Sequence, residues 1–197
     1  MMFPTVSKLV CLLLAGQALA LPVENTLEER GQNVIIGYRT VSEVQALRYN
    51  RAGTLTDDGN LIGTQIGSGV YTTPNRGGWP GSEANWFCVI TADSAALGNV
   101  YKVRIPQSFR GQTIWFKGDA TVNGYIKSVA PAADPNKTIR ISKIEGKGND
   151  LQMVVPPGLL NSNNGGLGIT ASCKRTVEEL PDSVVNYNSW SKVFGSA

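Results

Sequence analysis

The chain has 197 residues, 42% hydrophobic and 17% charged, which is enough apolar sequence for one globular domain and excludes a disordered chain. Its formal net charge of +3 is too small to indicate nucleic acid or a membrane surface as a partner by charge alone. It contains no histidine, which excludes Ser-His-Asp and Cys-His catalysis and the usual zinc sites, so any chemistry must come from carboxylates, arginine, hydroxyls and amides, without a metal.

The first twenty residues have the pattern of a secretory signal peptide. Lys8 precedes the short apolar run 9–15, and Ala18-Leu19-Ala20 is a small-x-small cleavage site. A buried N-terminal helix is the alternative. Since this run is too short to span a bilayer and no later segment is long enough, we expect a secreted, extracellular monomer without a membrane anchor. The expected segments are a signal peptide (1–20), a polar leader or propeptide (21–32), a folded domain (33–176) and a C-terminal tail (177–197).

In chain order, the hydrophobic pattern predicts a strand, one helix and then many short strands. Ser42 and Gln45 form a candidate capping box for the helix, and Gly53 ends it. The tail is polar apart from Trp190 and Phe194, and either packs or frays. This order indicates an α+β, mostly β, single domain. The predicted strands are 34–40, 70–73, 86–90, 101–106, 113–116, 125–129, 138–141, 151–156 and 167–173.

Of the three cysteines, Cys11 would leave with the signal peptide. Cys88 and Cys173 remain, and an even pair in an oxidising compartment predicts one disulfide, with two free buried thiols as the alternative. Asn136 begins the sequon Asn136-Lys137-Thr138 beside a proline, which makes it a candidate glycosylation site on a surface turn. Sequons also occur by chance, so its occupancy is open.

Three separated segments carry a more specific pattern than the fold class. The first is the early strand, which ends in Tyr38-Arg39 and is followed at once by the helix. The second is Gly69-Val70-Tyr71-Thr72-Thr73, in which strand-forming residues follow glycines that allow a ligand or a partner strand to approach closely. The third is the late strand within 150–158, which reads DLQMVVPPG.

Together these segments resemble the mono-ADP-ribosyltransferase fold of secreted toxins, in its arginine/serine-threonine/glutamate class. In particular they are similar to the fungal secreted proteins described as heat-labile-enterotoxin-like. The resemblance extends over most of residues 33–173. It implies an ADP-ribosyltransferase-like split β-sheet core with an early helix, NAD as the substrate, and a host protein or water as the acceptor of ADP-ribose.

The resemblance gives roles to residues of the first two segments. Arg39 corresponds to the arginine that grips the NAD phosphates and ribose, and a guanidinium suits this role because it forks two hydrogen bonds to a phosphate. A surface salt bridge is its alternative. Thr72 and Thr73 correspond to the Ser-Thr pair of the nicotinamide pocket, and Tyr71 to its wall, with strand propensity alone as the alternative. Pro74 stands where the pattern has a last serine.

The third segment departs from the pattern at the catalytic position. Gln152 stands where the family has the glutamate that stabilises the oxocarbenium-like transition state. A glutamine can donate and accept hydrogen bonds, but it lacks the negative charge that opposes the developing cation. Such electrostatic stabilisation is worth several kcal/mol. Asp150 and Glu145 are the candidates to supply the charge instead.

Three functions follow from these observations. The first is a secreted ADP-ribosyltransferase or NAD glycohydrolase that acts as an effector or toxin. The second is a catalytically inactive secreted binding protein on the same fold, for which Trp79 and Trp86 near glycine-rich loops would form a binding surface. The third is a small β-rich structural or inhibitor domain.

Overall fold

A computed structural model describes Met1, residues 31–56 and residues 64–196. The predicted signal peptide after Met1 and the predicted leader up to residue 30 lie outside the described residues. Within them, no helix has the length and apolar character needed to cross a bilayer.

The described residues form an α+β fold dominated by strands. The α-helices are α1 (Glu43–Ala52), α2 (Ser94–Asn99) and α3 (Gly118–Val129). The strands are β1 (Asn33–Ser42), β2 (Val70–Thr72), β3 (Asn85–Asp93), β4 (Lys102–Arg104), β5 (Ser108–Phe109), β6 (Gln112–Thr113), β7 (Ile139–Lys143), β8 (Leu151–Val155), β9 (Thr170–Lys174) and β10 (Val193–Phe194). Short 3-10 helices cover Pro135–Lys137, Pro157–Leu159, Asn161–Asn163, Val177–Glu179 and Tyr187–Ser189.

Two sheets meet along the edge between β1 and β2. The first has the order β1-β3-β9 and is antiparallel. The second has the order β10-β4-β7-β8-β2, in which β10, β4 and β7 run parallel to one another and β8 is antiparallel to both β7 and β2. A separate hairpin pairs β5 with β6. The sheets are joined by one bridge, in which the backbone N–H groups of Tyr38 and Thr73 each donate to the other's carbonyl at 2.8 Å.

Each face of the five-stranded sheet covers a different core. Met153 and Val155 of β8 point into the first core, which also includes buried residues of α1 and of the inner face of the three-stranded sheet. Val154 points the other way, into a second core beneath α3. Strand residues therefore alternate between the two cores, and a side chain's position in β8 decides which core it faces.

The disulfide prediction is confirmed. Cys88 of β3 and Cys173 of β9 are directly paired in register and joined by a disulfide, and both side chains are buried in the first core. Arg39 is the β1 partner of Cys88, so the disulfide joins β9 to the strand that pairs with the strand of this arginine.

The early helix is also confirmed, with one difference in its cap. Ser42 Oγ accepts a hydrogen bond from Gln45 N at 3.3 Å, and Gly53 ends α1 in the left-handed conformation at φ 65°. The Gln45 side chain does not return to Ser42. It donates from Nε2 to Thr56 Oγ1 at 3.2 Å and ties the helix to the chain beyond it.

Two predicted strands are wrong. Residues 125–129 form the end of α3, where Val122, Tyr125 and Ile126 turn one apolar face to the second core. The run 113–116 belongs to a strand only at Thr113, because Trp115 turns inward and donates from Nε1 to the Ile105 carbonyl at 3.1 Å. With α2 and α3, the fold therefore contains more helix than the single early helix expected.

The C-terminal tail packs against the domain. Leu180 and Tyr187 are buried, and β10 adds a parallel strand beside β4. The Tyr38 hydroxyl donates to the Pro181 carbonyl at 2.9 Å, which fixes the tail across the junction of the two sheets. Asn136 lies exposed in its 3-10 turn, as its sequon suggested, and its glycosylation stays a prediction.

Lys102 of β4 is a fully buried lysine that anchors this region. Its Nζ donates to the carbonyl of Leu97 and, at 2.9 Å, to that of Val100, near the end of α2. Burial, helped by the charge of Lys192, lowers the pKa of Lys102 to about 8. A neutral amine keeps two N–H donors, which matches the two carbonyls.

This buried lysine predicts a pH dependence of stability. Because the pKa of Lys102 is lower in the folded protein, the unfolded chain binds more protons between about pH 8 and pH 10, and the free energy of unfolding rises with pH by roughly 2 kcal/mol there. Urea unfolding at both ends of this range should show the rise in the wild type and not in Lys102→Met. An equal rise in the variant would show that other groups cause it.

Candidate functional site

The sheet junction brings Arg39 to the second segment of the sequence pattern. Arg39 follows Tyr38, whose backbone forms the bridge to Thr73. Its Nη1 donates to the Tyr71 carbonyl at 3.1 Å, so the arginine of β1 is oriented by the backbone of β2. These two positions are 32 residues apart in the chain.

The Arg39 guanidinium has hydrogen-bonding capacity to spare. The side chain is half-buried, and its Nε is buried without a hydrogen-bond partner. Among the described residues, the ion pairs involve Arg76, Arg140 and Arg175, and none involves Arg39. The surface salt bridge that was the alternative for Arg39 is therefore not seen, and no carboxylate of the described part of the chain neutralises the cation.

The two threonines of the predicted pocket are turned inward. Thr72 is 3% exposed on the first-core face, where its hydroxyl donates to the Met153 carbonyl at 3.4 Å and lies against Gly37. Thr73 is 6% exposed, and its hydroxyl donates to the carbonyls of Asn75, at 3.2 Å, and Tyr38. Both hydroxyls are thus engaged in holding the sheet junction together.

Tyr71 lies on the opposite face from Thr72 and closes the glycine-rich loop that precedes β2. Its hydroxyl donates to the Gly67 carbonyl at 2.7 Å and accepts from Ile66 N at 3.0 Å. Burial raises the pKa of Tyr71 to about 12, against the lowering effect of the bond from Ile66. Tyr71 is therefore a neutral, structural phenol that fixes the loop.

Gln152, in the place of the catalytic glutamate, is held within the β7–β8 pair. It is 6% exposed, and its Nε2 donates to Ser142 Oγ at 3.1 Å and to the Lys143 carbonyl at 3.3 Å. Since side chains alternate along β8, Gln152 shares the second-core face with Tyr71 and points away from Thr72.

The two candidate replacement acids lie elsewhere. Glu145 and Asp150 are both exposed on the turn between β7 and β8, which is closed by a bond from Ile144 N to the Asp150 carbonyl at 2.8 Å. Neither carboxylate makes an ion pair within the described residues. No group of three or more acidic or cysteine side chains that would hold a metal occurs in the described part either.

Trp79 stands beside the strand of Arg39. Thr40 donates from Oγ1 to the Trp79 carbonyl at 2.8 Å, and the side chain is 47% exposed, with Lys147 Nζ 4.9 Å from the ring centre. Trp86 is half-buried and packs against the first core instead. Of the two tryptophans expected at a binding surface, Trp79 is the more exposed, although Lys147 lies over one face of its ring.

An ion pair between a buried arginine and a partly exposed aspartate near the site was not anticipated from the sequence. Arg140 of β7 is 1% exposed, and its Nη1 lies 3.0 Å from Asp119 Oδ1 and donates to the Ile66 carbonyl at 3.1 Å. Asp119 also accepts from the backbone and hydroxyl of Ser68 at 2.9 and 2.6 Å. A Cβ at Gly67 would overlap this pair, so the glycine, at φ 90°, makes room for the ion pair.

The pair accounts for the glycine at position 67, and its carboxylate is held in the ionised form. Burial acts to raise the pKa of Asp119, but the hydrogen bonds from Ser68 and Arg140 and the charge of Arg140 outweigh it and lower the pKa. The carboxylate is thus ionised and neutralised by its partner. The only sequence signal was an arginine in an otherwise apolar strand, which does not reveal its partner.

Comparison with known families gives one match. The model of a family of unknown function (DUF5910) matches residues 64–196, a segment that includes β2 to β10 with Tyr71, Gln152 and the Asp119–Arg140 pair. β1, with Arg39, precedes the matched segment. No curated protein matches the chain.

Proposed function

The chain belongs to this family of unknown function, DUF5910, and we propose that it is a secreted binding protein with an ADP-ribosyltransferase-like fold that takes NAD at Arg39 without cleaving it. The observation that carries the proposal is the Arg39 guanidinium, which the Tyr71 carbonyl orients at the sheet junction and which has no carboxylate partner among the described residues.

A half-buried cation without a counter-charge is a receptor for an anion. Removing a charge from water costs free energy unless a partner of opposite charge replaces the hydration. The planar guanidinium is suited to a phosphate because it forms two parallel hydrogen bonds. A pyrophosphate at Arg39 would supply the charge that the protein lacks at this point.

The architecture supports the same ligand. The resemblance implies a split β-sheet core with the arginine strand beside the Ser-Thr strand, and here a bridge between Tyr38 and Thr73 joins two sheets. Trp79 adds an exposed aromatic ring next to the arginine strand, a surface on which the base or nicotinamide of a dinucleotide would stack.

The absence of cleavage follows from the residue at the catalytic position. Gln152 is neutral, and Ser142 and Lys143 occupy its amide nitrogen. Glu145 and Asp150 are exposed on the turn beyond it, and Asp119, which accepts hydrogen bonds from Ser68 just before β2, is neutralised by Arg140. Among these described acids, none thus supplies a free negative charge at Gln152 to stabilise an oxocarbenium-like transition state.

Two measurements on one sample test this function. NAD should raise the melting temperature of the full chain in proportion to the logarithm of its concentration, while the same mixture releases no nicotinamide. Release that exceeds the rate without protein would make the chain an enzyme and would overturn the non-cleaving assignment. A melting temperature that does not depend on the NAD concentration would show that the protein does not bind NAD, and would overturn the proposal.

A further inference from the structure

An open cavity of about 1060 Å³ lies at the opposite end of β1, between the start of that strand, α2 and the loop 161–168. Its polar lining comes from the amides of Asn33, Asn99 and Asn164 and the carboxylate of Asp93. Asn33 and Arg39 are six residues apart in β1, about 20 Å at the usual strand rise. The cavity is thus separate from the proposed NAD site and does not depend on it.

The loop on one side of the cavity is held in place by side chains. Asn161 accepts from Ile169 N at 3.1 Å and donates to the Ile169 carbonyl at 2.8 Å and to Thr54 Oγ1 at 3.0 Å. Asn163 donates to the Pro157 carbonyl at 2.8 Å. Because these bonds fix the loop without a ligand, binding would cost little ordering of the backbone.

Three lining amides are free to bind a ligand. In the described part of the chain, no hydrogen bond involves the side chains of Asn33, Asn99 or Asn164, and all three are exposed. Each primary amide offers two N–H donors and a carbonyl acceptor. A Cβ at Gly166 would meet nothing within 4 Å, so the backbone there is also open to a ligand.

We propose that this cavity binds a neutral polyhydroxylated ligand of the sugar class through Asn33, Asn99 and Asn164. The second carboxylate oxygen of Asp93 is a further acceptor, since Asp93 Oδ1 caps α2 by accepting from Ala96 N at 2.8 Å. A sugar hydroxyl both donates and accepts, which matches the pairing of donor and acceptor on each amide. Asp93 is the only ionisable residue among the described lining residues, and its negative charge disfavours a phosphate.

Other ligand classes fit the lining less well. A single carboxylate provides too few ligands for a metal ion, which prefers several charged oxygen atoms. A peptide in extended form needs a free strand edge or apolar pockets for its side chains, whereas the apolar side chains that line this cavity are Ala95 and Ala96. The lining of the cavity is rich in neutral amides, and it therefore favours a sugar over a metal ion or a peptide.

The test is a two-dimensional ¹⁵N NMR titration of the full chain with cellotriose, maltotriose and chitotriose. At least one sugar should shift the side-chain amides of Asn99 and Asn164 and the backbone amide of Gly166, with saturation in the millimolar range. Asn99→Ala combined with Asn164→Gly should weaken binding roughly tenfold or more, since two hydrogen-bonding groups are lost. Glycine is used at position 164 because φ there is 55°.

Asn149→Ala is the matched control, because this asparagine is exposed on the turn between β7 and β8, away from the cavity, and should leave the sugar affinity unchanged. The proposal is overturned if none of the three sugars gives saturating shifts at the cavity, or if the double variant binds as tightly as the wild type. Shifts there with triglycine or inorganic phosphate, and not with the sugars, would also overturn it.

Discussion

Replacing both Cys88 and Cys173 by alanine is expected to lower the free energy of unfolding by about 4 kcal/mol, which is a large fraction of the stability of a domain of this size. The bridge spans 85 residues of sequence, and without it the unfolded chain regains the entropy of that loop. Urea unfolding of the oxidised wild type and the double variant measures the difference.

Two comparisons separate the bridge from the loss of the sulfur atoms. The wild type unfolded in the presence of a reductant should approach the stability of the double variant, and each single variant should lose about as much as the double variant. A loss under about 1 kcal/mol in the double variant would contradict the account, because the loop entropy of the unfolded chain would then be negligible.

Asp119→Asn is expected to lower the free energy of unfolding by about 1–2 kcal/mol, because it leaves the 1% exposed Arg140 without its carboxylate, while the 41% exposure of the Asp119 side chain lets water screen part of the charge. The substitution keeps the size of the side chain, so the loss reports the charge. The measurement is urea unfolding at neutral pH. Asp150→Asn, at an exposed acid without an ion pair in the described residues, is the control and should change stability little.

The same variant has a pH signature. Since the folded-state pKa of Asp119 is lowered, its contribution to stability is present above the unfolded-state pKa and is lost as the pH falls through the folded-state pKa. The difference between wild type and Asp119→Asn should therefore shrink in acid. A difference that is small at neutral pH, or unchanged in acid, would show that the Asp119 charge does not stabilise the fold.

The sequence predicts those parts of the fold whose signals are local. Ser42 and Gly53 delimit α1 because an N-cap hydroxyl and a left-handed glycine act on the helix ends beside them. β8 was predicted because a short apolar run that is followed by prolines is typical of a buried strand. The disulfide followed from the number of cysteines and the expected compartment.

Segments whose structure depends on distant contacts were predicted less well. Residues 125–129 are rich in β-branched and aromatic side chains, yet Tyr125 and Ile126 complete a helical face that begins at Val122. A short apolar run does not distinguish the hydrophobic period of a helix from that of a strand. The tail looks polar because Leu180 and Tyr187 are the only buried residues of its described part. Hydrogen bonds from the Tyr38 and Arg76 side chains to its backbone also hold it to the domain.

The candidate site shows the same division. The sequence singled out Arg39 and the segment around Tyr71, and the structure places the Arg39 guanidinium on the Tyr71 carbonyl. The sequence did not predict that Thr72 and Gln152 face opposite sides of one sheet, because the register between separate strands is set by tertiary packing. The Asp119–Arg140 pair joins α3 to β7 and is likewise invisible to local patterns.

The most direct test of the central claim is the affinity for NAD of the wild type, Arg39→Met and Arg48→Met, measured by isothermal titration calorimetry. Methionine keeps much of the length and apolar contact of arginine but removes every donor, and Arg48 is an exposed arginine on α1 that serves as the control. The account predicts binding that falls roughly 10- to 100-fold in Arg39→Met and is unchanged in Arg48→Met. Equal affinity in all three proteins, or no binding by the folded wild type, would contradict it.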